Sequence, residues 1–363
     1  MAYGTLQIAD SVASSQQTVA QFGETNLFGE FQRAADIHNG WVNEMTGALC
    51  VRTTDRLRAY GGLDDVVNEQ MGEQSRPDAS KASTGYNIGF PLFRFGSSMQ
   101  WTRDYFRVAK VAEVVAQMNA HADADRKQIV RQIKIALMTP TNRLTYKDRL
   151  ANQQSANVTL PVRALLNADS TAVPLGPNGE TFDATAHTHY LARAGGAVAA
   201  TDVTALVNTV LEHGVPSNLV MWIPASLEAT IRGYTAAGQF QAYVDARIRQ
   251  PLDSTFAQGR ALDVNNTGDR AIGIYGAAEV WVKPWMPANY IVVVDTGTAG
   301  MKPLAFRVQE DDPTLSDFGI RAEDESYPLR ARTMARDYGI AVAQRHMAAV
   351  LYTGDTTYTA PTL

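Results

Sequence analysis

The clearest hydrophobic pattern lies between residues 104 and 138. Val108, Val111, Val115, Met118, Ile129, Ile133 and Leu137 fall on one helical stripe. Asp104 supplies an N-cap, and Thr139-Pro140 ends the run. At about 1.5 Å per residue, a helix of about 35 residues is about 50 Å long, more than an ordinary globular helix. A sheet or neighbouring chains must therefore cover its apolar face. Upstream, Phe28, Phe31, Ala35, His38 and Val42 predict a second helix over residues 24–49, weakened by Gly29, Gly40 and Gly47. Residues 1–23 are small and polar. They predict a weakly ordered arm that gains order on a neighbouring subunit.

Between the helices the period changes to two. Gly61-Gly62 opens a polar segment carrying Asp64, Asp65, Glu69, Glu73, Arg76, Asp78 and Lys81. Tyr86, Ile88, Phe90 and Leu92 then alternate as in a strand, and Pro91 marks an edge. With Phe93 and Phe95 added, this is an aromatic ribbon. A lone two-stranded ribbon is marginal in water, so the expectation is a ribbon lying on another chain.

After the long helix, Pro161 to Leu165 predicts a short strand, Asn178-Gly179 a turn, and the small residues at 194–200 a domain boundary. Residues 201–300 read as a compact α/β unit. Thr201-Asp202 caps a helix carrying Val203, Leu206, Val207, Val210 and Leu211. Leu219 to Ile223 is a buried strand, and Pro224 starts a helix with Leu227 and Ile231. Ala271 to Val282 and Tyr290 to Asp295 follow as strands. Further strands are predicted at Pro303 to Val308 and Tyr327 to Tyr338, then, past a break, from Gly339 to Leu351.

Composition narrows the function classes. The chain has 363 residues, 45% hydrophobic and 19% charged, enough for a core and for two or three domains or one elongated fold. Its net charge of −5, with no basic stripe, argues against a protein that grips duplex DNA through its phosphates. The single cysteine, Cys50, excludes an intrachain disulfide and a cysteine-based zinc site, and predicts a reduced, partly buried thiol. No basic segment opens the chain and no apolar run can span a membrane. A soluble protein that stays in the cell making it is expected.

Candidate chemistry is sparse. His187-Thr188-His189 puts two imidazoles on one face of a strand, short of the further ligand that a metal needs. Structural or surface histidines are the preferred reading. Asp311-Asp312 and Glu323-Asp324-Glu325 are acidic clusters, and Arg321, Arg330, Arg332, Arg336 and Arg345 lie near them in sequence. Arginine forks suit carboxylates, so ion pairs between subunits are expected. No phosphate-binding loop, nucleophile elbow or zinc-protease motif occurs. A metal-dependent hydrolase using His187, His189 and an acidic cluster remains the alternative from a different class.

The order of elements is arm, ribbon with a charged tip, long helix, compact α/β unit and a return to strands. It resembles the major capsid proteins of tailed phages, whose fold is named after phage Hong Kong 97 and is shared by encapsulins. Gly89-Phe90-Pro91-Leu92 with Trp101-Thr102-Arg103 resembles the end of the family's extended loop. Val280 to Pro287 with Tyr290 to Asp295 resembles an axial-domain strand pair, and Arg336 to Val342 with Arg345 to Val350 the peripheral-domain strands. The resemblance implies an α+β capsid fold. Its parts are an N-terminal arm at 1–50, an extended β-hairpin loop at 51–103, a peripheral domain at 104–200 and 301–363 with its spine helix at 104–138, and an axial domain at 201–300. It implies a non-enzyme with no catalytic residue, cofactor or metal. The partners would be copies of the chain in hexamers and pentamers, a portal, in some members a decoration protein, and enclosed double-stranded DNA. Assembly would take place in the host cytoplasm, with the virion as destination. An encapsulin-type protein compartment is the alternative within the fold. The candidate inter-subunit contacts are Tyr86, Ile88, Phe90, Phe93, Phe95, Arg321, Arg330, Arg332, Arg336, Asp311, Asp312, Glu323 and Glu325. Some members join an extended-loop lysine to a peripheral-domain asparagine. Lys81 is suitably placed, yet no asparagine follows Asn289, so no such crosslink is expected. Too few residues precede the long helix for a fused scaffolding segment, so a separate scaffolding protein is expected.

Overall fold

The computed structural model describes residues 17–60, 85–147, 159–193, 198–214, 218–236, 239–243, 269–297, 300–324 and 329–363. In chain order, α1 (Val19–Phe22) and α2 (Glu24–Leu49) precede strands β1 (Cys50–Thr53), β2 (Leu57–Tyr60), β3 (Tyr86–Gly89) and β4 (Phe93–Thr102). Helices α3 (Arg103–Val108) and α4 (Val111–Met138) follow, then β5 (Arg143–Lys147), β6 (Thr159–Val162) and β7 (Tyr190–Ala192). Next come α5 (Ala200–Leu211), β8 (Leu219–Ile223), α6 (Glu228–Arg232), β9 (Phe240–Ala242), β10 (Arg270–Tyr275), β11 (Ala278–Val282) and β12 (Tyr290–Asp295). The chain closes with β13 (Leu304–Arg307), β14 (Gly319–Asp324), β15 (Leu329–Val342) and β16 (Ala348–Tyr352).

The long helix is broken once. Ala109 and Lys110 are extended, with ψ of 139° and 147°. The segment before α1 fills the gap. Val19 N–H donates to the Ala109 carbonyl at 3.0 Å, and Val111 N–H donates to Gln17 at 3.1 Å. The first predicted turn is thus a separate helix capped by the Thr102 hydroxyl, rather than by Asp104. Val108 leaves the buried stripe and is 74% exposed, whereas Val111, Met118 and Ile129 are sealed. At about 1.5 Å per residue, α4 with its 28 residues runs about 42 Å.

A five-stranded sheet is built on β15, in the order β1-β13-β15-β14, with β4 also paired to β15. The β4–β15 ladder runs antiparallel from Leu329↔Thr102 to Tyr338↔Phe93. Within it Arg94 grips Asp337 with two hydrogen bonds, of 2.8 and 2.7 Å. The predicted break at Gly339 does not occur, because β15 runs through it to Val342. A Cβ on Gly339 would stand 1.8 Å from the Pro91 carbonyl oxygen. Glycine is there to let a neighbouring backbone approach. The break falls between Val342 and Ala348.

A seven-stranded sheet has the order β7-β16-β12-β8-β11-β10-β9. Its centre is buried on both faces, which explains the unbroken apolar run of β12. Trp222, Val292 and Val294 face one core with Ile129, Ile133 and Leu137 of α4 and Phe306, Tyr338 and Ile340. Met221, Ile223 and Val293 face the other, under Val203, Leu206, Val207 and Val210 of α5. The predicted 201–300 unit is therefore not closed. β12 pairs with β16 from the C-terminal part, and β16 pairs with β7. The single strand expected from Ala271 to Val282 is a hairpin turning at Gly276, whose φ is +55°.

Residues 24–49 form the predicted helix, and it packs on its own chain. Leu27 and Phe31 meet Val111, Val114 and Met118, while Val42 and Leu49 reach the core between the sheets. Val19, in the segment expected to be weakly ordered, is fully buried there. Cys50 is buried, and burial pushes its thiol up to about 12, so it stays protonated. Among the described residues no helix is long and apolar enough to cross a membrane.

Candidate functional site

The aromatic ribbon begins inside its own subunit. Ile88 and Phe90 are fully buried, packed with Leu160, Val162, Ala305 and Ala341. Arg58 lies 5.6 Å from the Phe90 ring, and Arg307 donates to the Phe90 carbonyl at 2.6 Å. Tyr86 stacks on Tyr60 at 5.6 Å. Phe93 and Phe95 are half-buried, against Tyr146 at 5.8 Å and Tyr338 at 5.1 Å. As inter-subunit contacts Ile88 and Phe90 are corrected, since their apolar surface is spent within the chain. The polar segment with Lys81 lies outside the described residues.

Arg332 and Arg336 are corrected in the same direction, being buried, while Arg321 is exposed and Arg330 partly so. Arg336 is 1% exposed, at the junction of α2, α4 and β15. It meets Asp125 Oδ2 at 3.1 Å, the oxygen that also meets His38 Nε2 at 2.9 Å. Arg336 also donates to Asn39 Oδ1 at 2.5 Å, and Asn39 in turn brackets the Phe318 backbone. Arg332 pairs with Glu323 at 3.2 Å and stands 5.0 Å from the Phe28 ring centroid. Arg330 pairs with Glu24, and Arg321 donates to the Ala335, Thr314 and Asp317 carbonyls. Asp312 caps the 3-10 turn at Pro313–Ser316, accepting from Thr314 N–H at 3.0 Å. Asp311 is exposed, and Glu325 lies outside the described residues.

Arg345 is also sealed. It donates to the Ala164 and Leu165 carbonyls at 2.8 and 3.1 Å, and meets Asp169 Oδ2 at 3.1 Å. Arg163 reaches the same carboxylate at 2.9 Å. Burial pushes Asp169 up, but hydrogen bonds from Thr171 and Arg345 outweigh it and hold the carboxyl at about 2. This knot pins the loop after β6 to the link between β15 and β16.

The second constellation is a histidine cluster. His187 and His189 precede β7, anchored by His189 N–H on Leu166 O at 2.8 Å and by Val350 N–H on His189 O at 2.9 Å. His213 and Glu212 end α5. His213 Nε2 lies 3.0 Å from His187 Nε2 and 3.1 Å from His189 Nε2, with Glu212 Oε1 3.7 Å from His187 Nε2. The opposite nitrogens are tethered. His189 Nδ1 donates to Ala348 O at 2.7 Å, and His213 Nδ1 to Pro174 O at 2.9 Å. Phe182 packs on His187 and His213, at 4.8 and 4.6 Å between ring centroids. His189 has no exposed surface. Burial lowers all three imidazoles, His213 to about 4, so they are neutral at neutral pH. The sequence reading found His187 and His189 but neither His213 nor Glu212. The only signal was a histidine at the end of the next helix, which no spacing motif announces.

Neither a protein-family model nor a curated protein matches the chain. A solved chain of Mycobacterium phage Patience matches with a TM-score of 0.66 and 21% identity, over 92% of this chain and 90% of that one. The holo-SrpI encapsulin complex from Synechococcus elongatus PCC 7942 gives 0.45 and 10%, over 89% and 90%. The capsid of a native GTA particle gives 0.45 and 15%, over 85% and 89%. The first likeness shows the fold, a mixed α/β architecture of the Hong Kong 97 type.

Proposed function

We propose that this chain is the major capsid protein of a tailed phage, assembling as pentamers and hexamers into the icosahedral head around double-stranded DNA. The observation that carries the reading is the fold, matched to a phage chain across nearly its whole length. In this reading residues 1–50 act as the arm and 51–103 as the extended loop. Residues 104–200 and 301–363 act as the peripheral domain and 201–300 as the axial domain. The chain catalyses nothing. A separate scaffolding protein and a portal are its partners during assembly.

Ile37, Val108, Met301, Leu329, Leu144 and Leu57 are each about half or more exposed and are spread over several elements. A closed shell multiplies many small contacts by symmetry, but apolar residues scattered singly are ordinary on a folded surface, so the reading rests on the fold. The net charge of −5 limits adhesion of packaged DNA to the wall.

The content of the particles is the test. Particles carrying this chain, purified from lysing host cells and treated with nuclease, should hold protected double-stranded DNA. Particles filled with protein instead would replace the phage head by an encapsulin-type compartment. A small, particle-free oligomer would overturn both.

A further inference from the structure

We propose that His187, His189, His213 and Glu212 bind a divalent transition-metal ion of the zinc type as a structural clip between the start of β7 and the end of α5. The inference does not depend on the shell reading. It begins with tautomers. A backbone carbonyl only accepts, so the Nδ1 atoms of His189 and His213 must carry their protons. In a neutral ring the Nε2 atom is then a bare lone pair. The two lone pairs face each other across 3.1 Å, and His187 Nε2 stands 3.0 Å from the same atom of His213. The bare lone pairs of His189 and His213 repel at that distance unless a cation lies between them, whereas His187 can donate to His213 in one tautomer and offer a third lone pair in the other.

The spacing suits such an ion. With zinc–nitrogen bonds of about 2.05 Å, tetrahedral ligands stand about 3.3 Å apart. All four ligand atoms lie within 4.8 Å of one another, so the histidine nitrogens are near the spacing already and the widest separation has to close by up to about 1.5 Å. Imidazole and carboxylate are the ligands that borderline cations prefer. The outer contacts are also those of a metal site. Each tethered ring gives its second nitrogen to a carbonyl, which fixes tautomer and orientation.

The site is structural rather than catalytic. Four protein ligands fill a tetrahedron, whereas a catalytic zinc keeps a position for water. Phe182 covers His187 and His213, and His189 is sealed. The ion would fasten four pieces of chain, namely the His187–His189 segment, the end of α5 and, through Pro174 and Ala348, the loop and β16 behind them.

The test uses the full chain purified without chelator. Elemental mass spectrometry should find about one zinc-type ion per chain. Chelator-stripped protein should bind Zn2+ in calorimetry, and Co2+ with the visible absorption of a tetrahedral complex. His213→Ala should weaken binding by more than the about 10–100-fold that loss of an outer-shell partner costs. Chelator should lower the melting temperature of the native chain and leave that of the variant unchanged. Should His213→Ala fail to fold, Glu212→Gln carries the same comparison, since Glu212 is half-exposed. Stripped protein that binds neither Zn2+ nor Co2+ would overturn the proposal. So would binding that folded variants leave unaltered, because the ion would then sit elsewhere.

Discussion

Asp125 holds two positive partners in the interior, Arg336 and, when protonated, His38. Its side chain is 5% exposed and that of Arg336 is 1% exposed. Removing the carboxylate leaves a guanidinium inside the protein without its countercharge. Asp125→Ala should cost about 3–5 kcal/mol in denaturant unfolding of the subunit. A loss below about 1 kcal/mol would mean that Asn39 alone satisfies Arg336. Asp169 offers a pH test. Its folded carboxyl titrates at about 2, below the unfolded value of about 3.9. The stability it contributes is therefore complete above the unfolded value and is lost as pH falls toward about 2. Melting curves of Asp169→Asn should lie below those of the native chain at neutral pH and converge with them at the acid end. Parallel curves would contradict the knot around Arg345. Arginines and carboxylates were legible in the sequence as ion-pair formers. Their depth was not. Composition shows that Arg336 wants an anion, but only the α2–α4–β15 junction decides that Asp125 of the same chain supplies it.

At the level of elements, periodicity located the longer helices and the apolar central strands, missed α1 and the short strands β1, β2, β5, β7, β9 and β14, and misplaced the interruptions. The apolar stripe from Val108 to Leu137 reads as one helix because Ala109 and Lys110 carry no breaking signal. The break comes from the backbone at Gln17 and Val19, which pairs with the chain there. Val108→Asp should change subunit stability by less than about 0.5 kcal/mol. Val111→Asp, which buries a charge in a sealed position, should prevent folding. Equal effects would restore the unbroken helix. Gly339 misled in the opposite sense. It reads as a break, and it is the point where β15 needs a bare backbone beneath Pro91. The ribbon was legible as strands, but its aromatic content was assigned to a neighbouring chain when much of it packs at home. The charged segment between β2 and β3 in sequence lies outside the described residues, and its contact with neighbours stays a proposal. Deletion of residues 72–84 should leave a soluble, folded subunit that no longer closes shells. Normal shells from that deletion would sink this assignment.

For the whole molecule, the order of elements was the most informative feature of the sequence. Arm, ribbon, long helix, α/β unit and returning strands led to the Hong Kong 97 type fold, and the match to the Mycobacterium phage Patience chain agrees over 92% of the residues. The boundaries drawn between parts were less legible, because sheets gather strands from distant segments. The seven-stranded sheet takes β7 from before residue 201 and β16 from the C-terminal part, so no composition shift marks where one part ends. The histidine cluster escaped for the same reason, since its ligands come from two elements that only the sheet brings together. The central claim is that this fold builds a shell, and the most direct measurement is negative-stain electron microscopy of the purified chain, alone and with the proposed scaffolding protein. Closed angular particles, or rings of five and six subunits, are the expected result. A uniform small oligomer under every condition would contradict it.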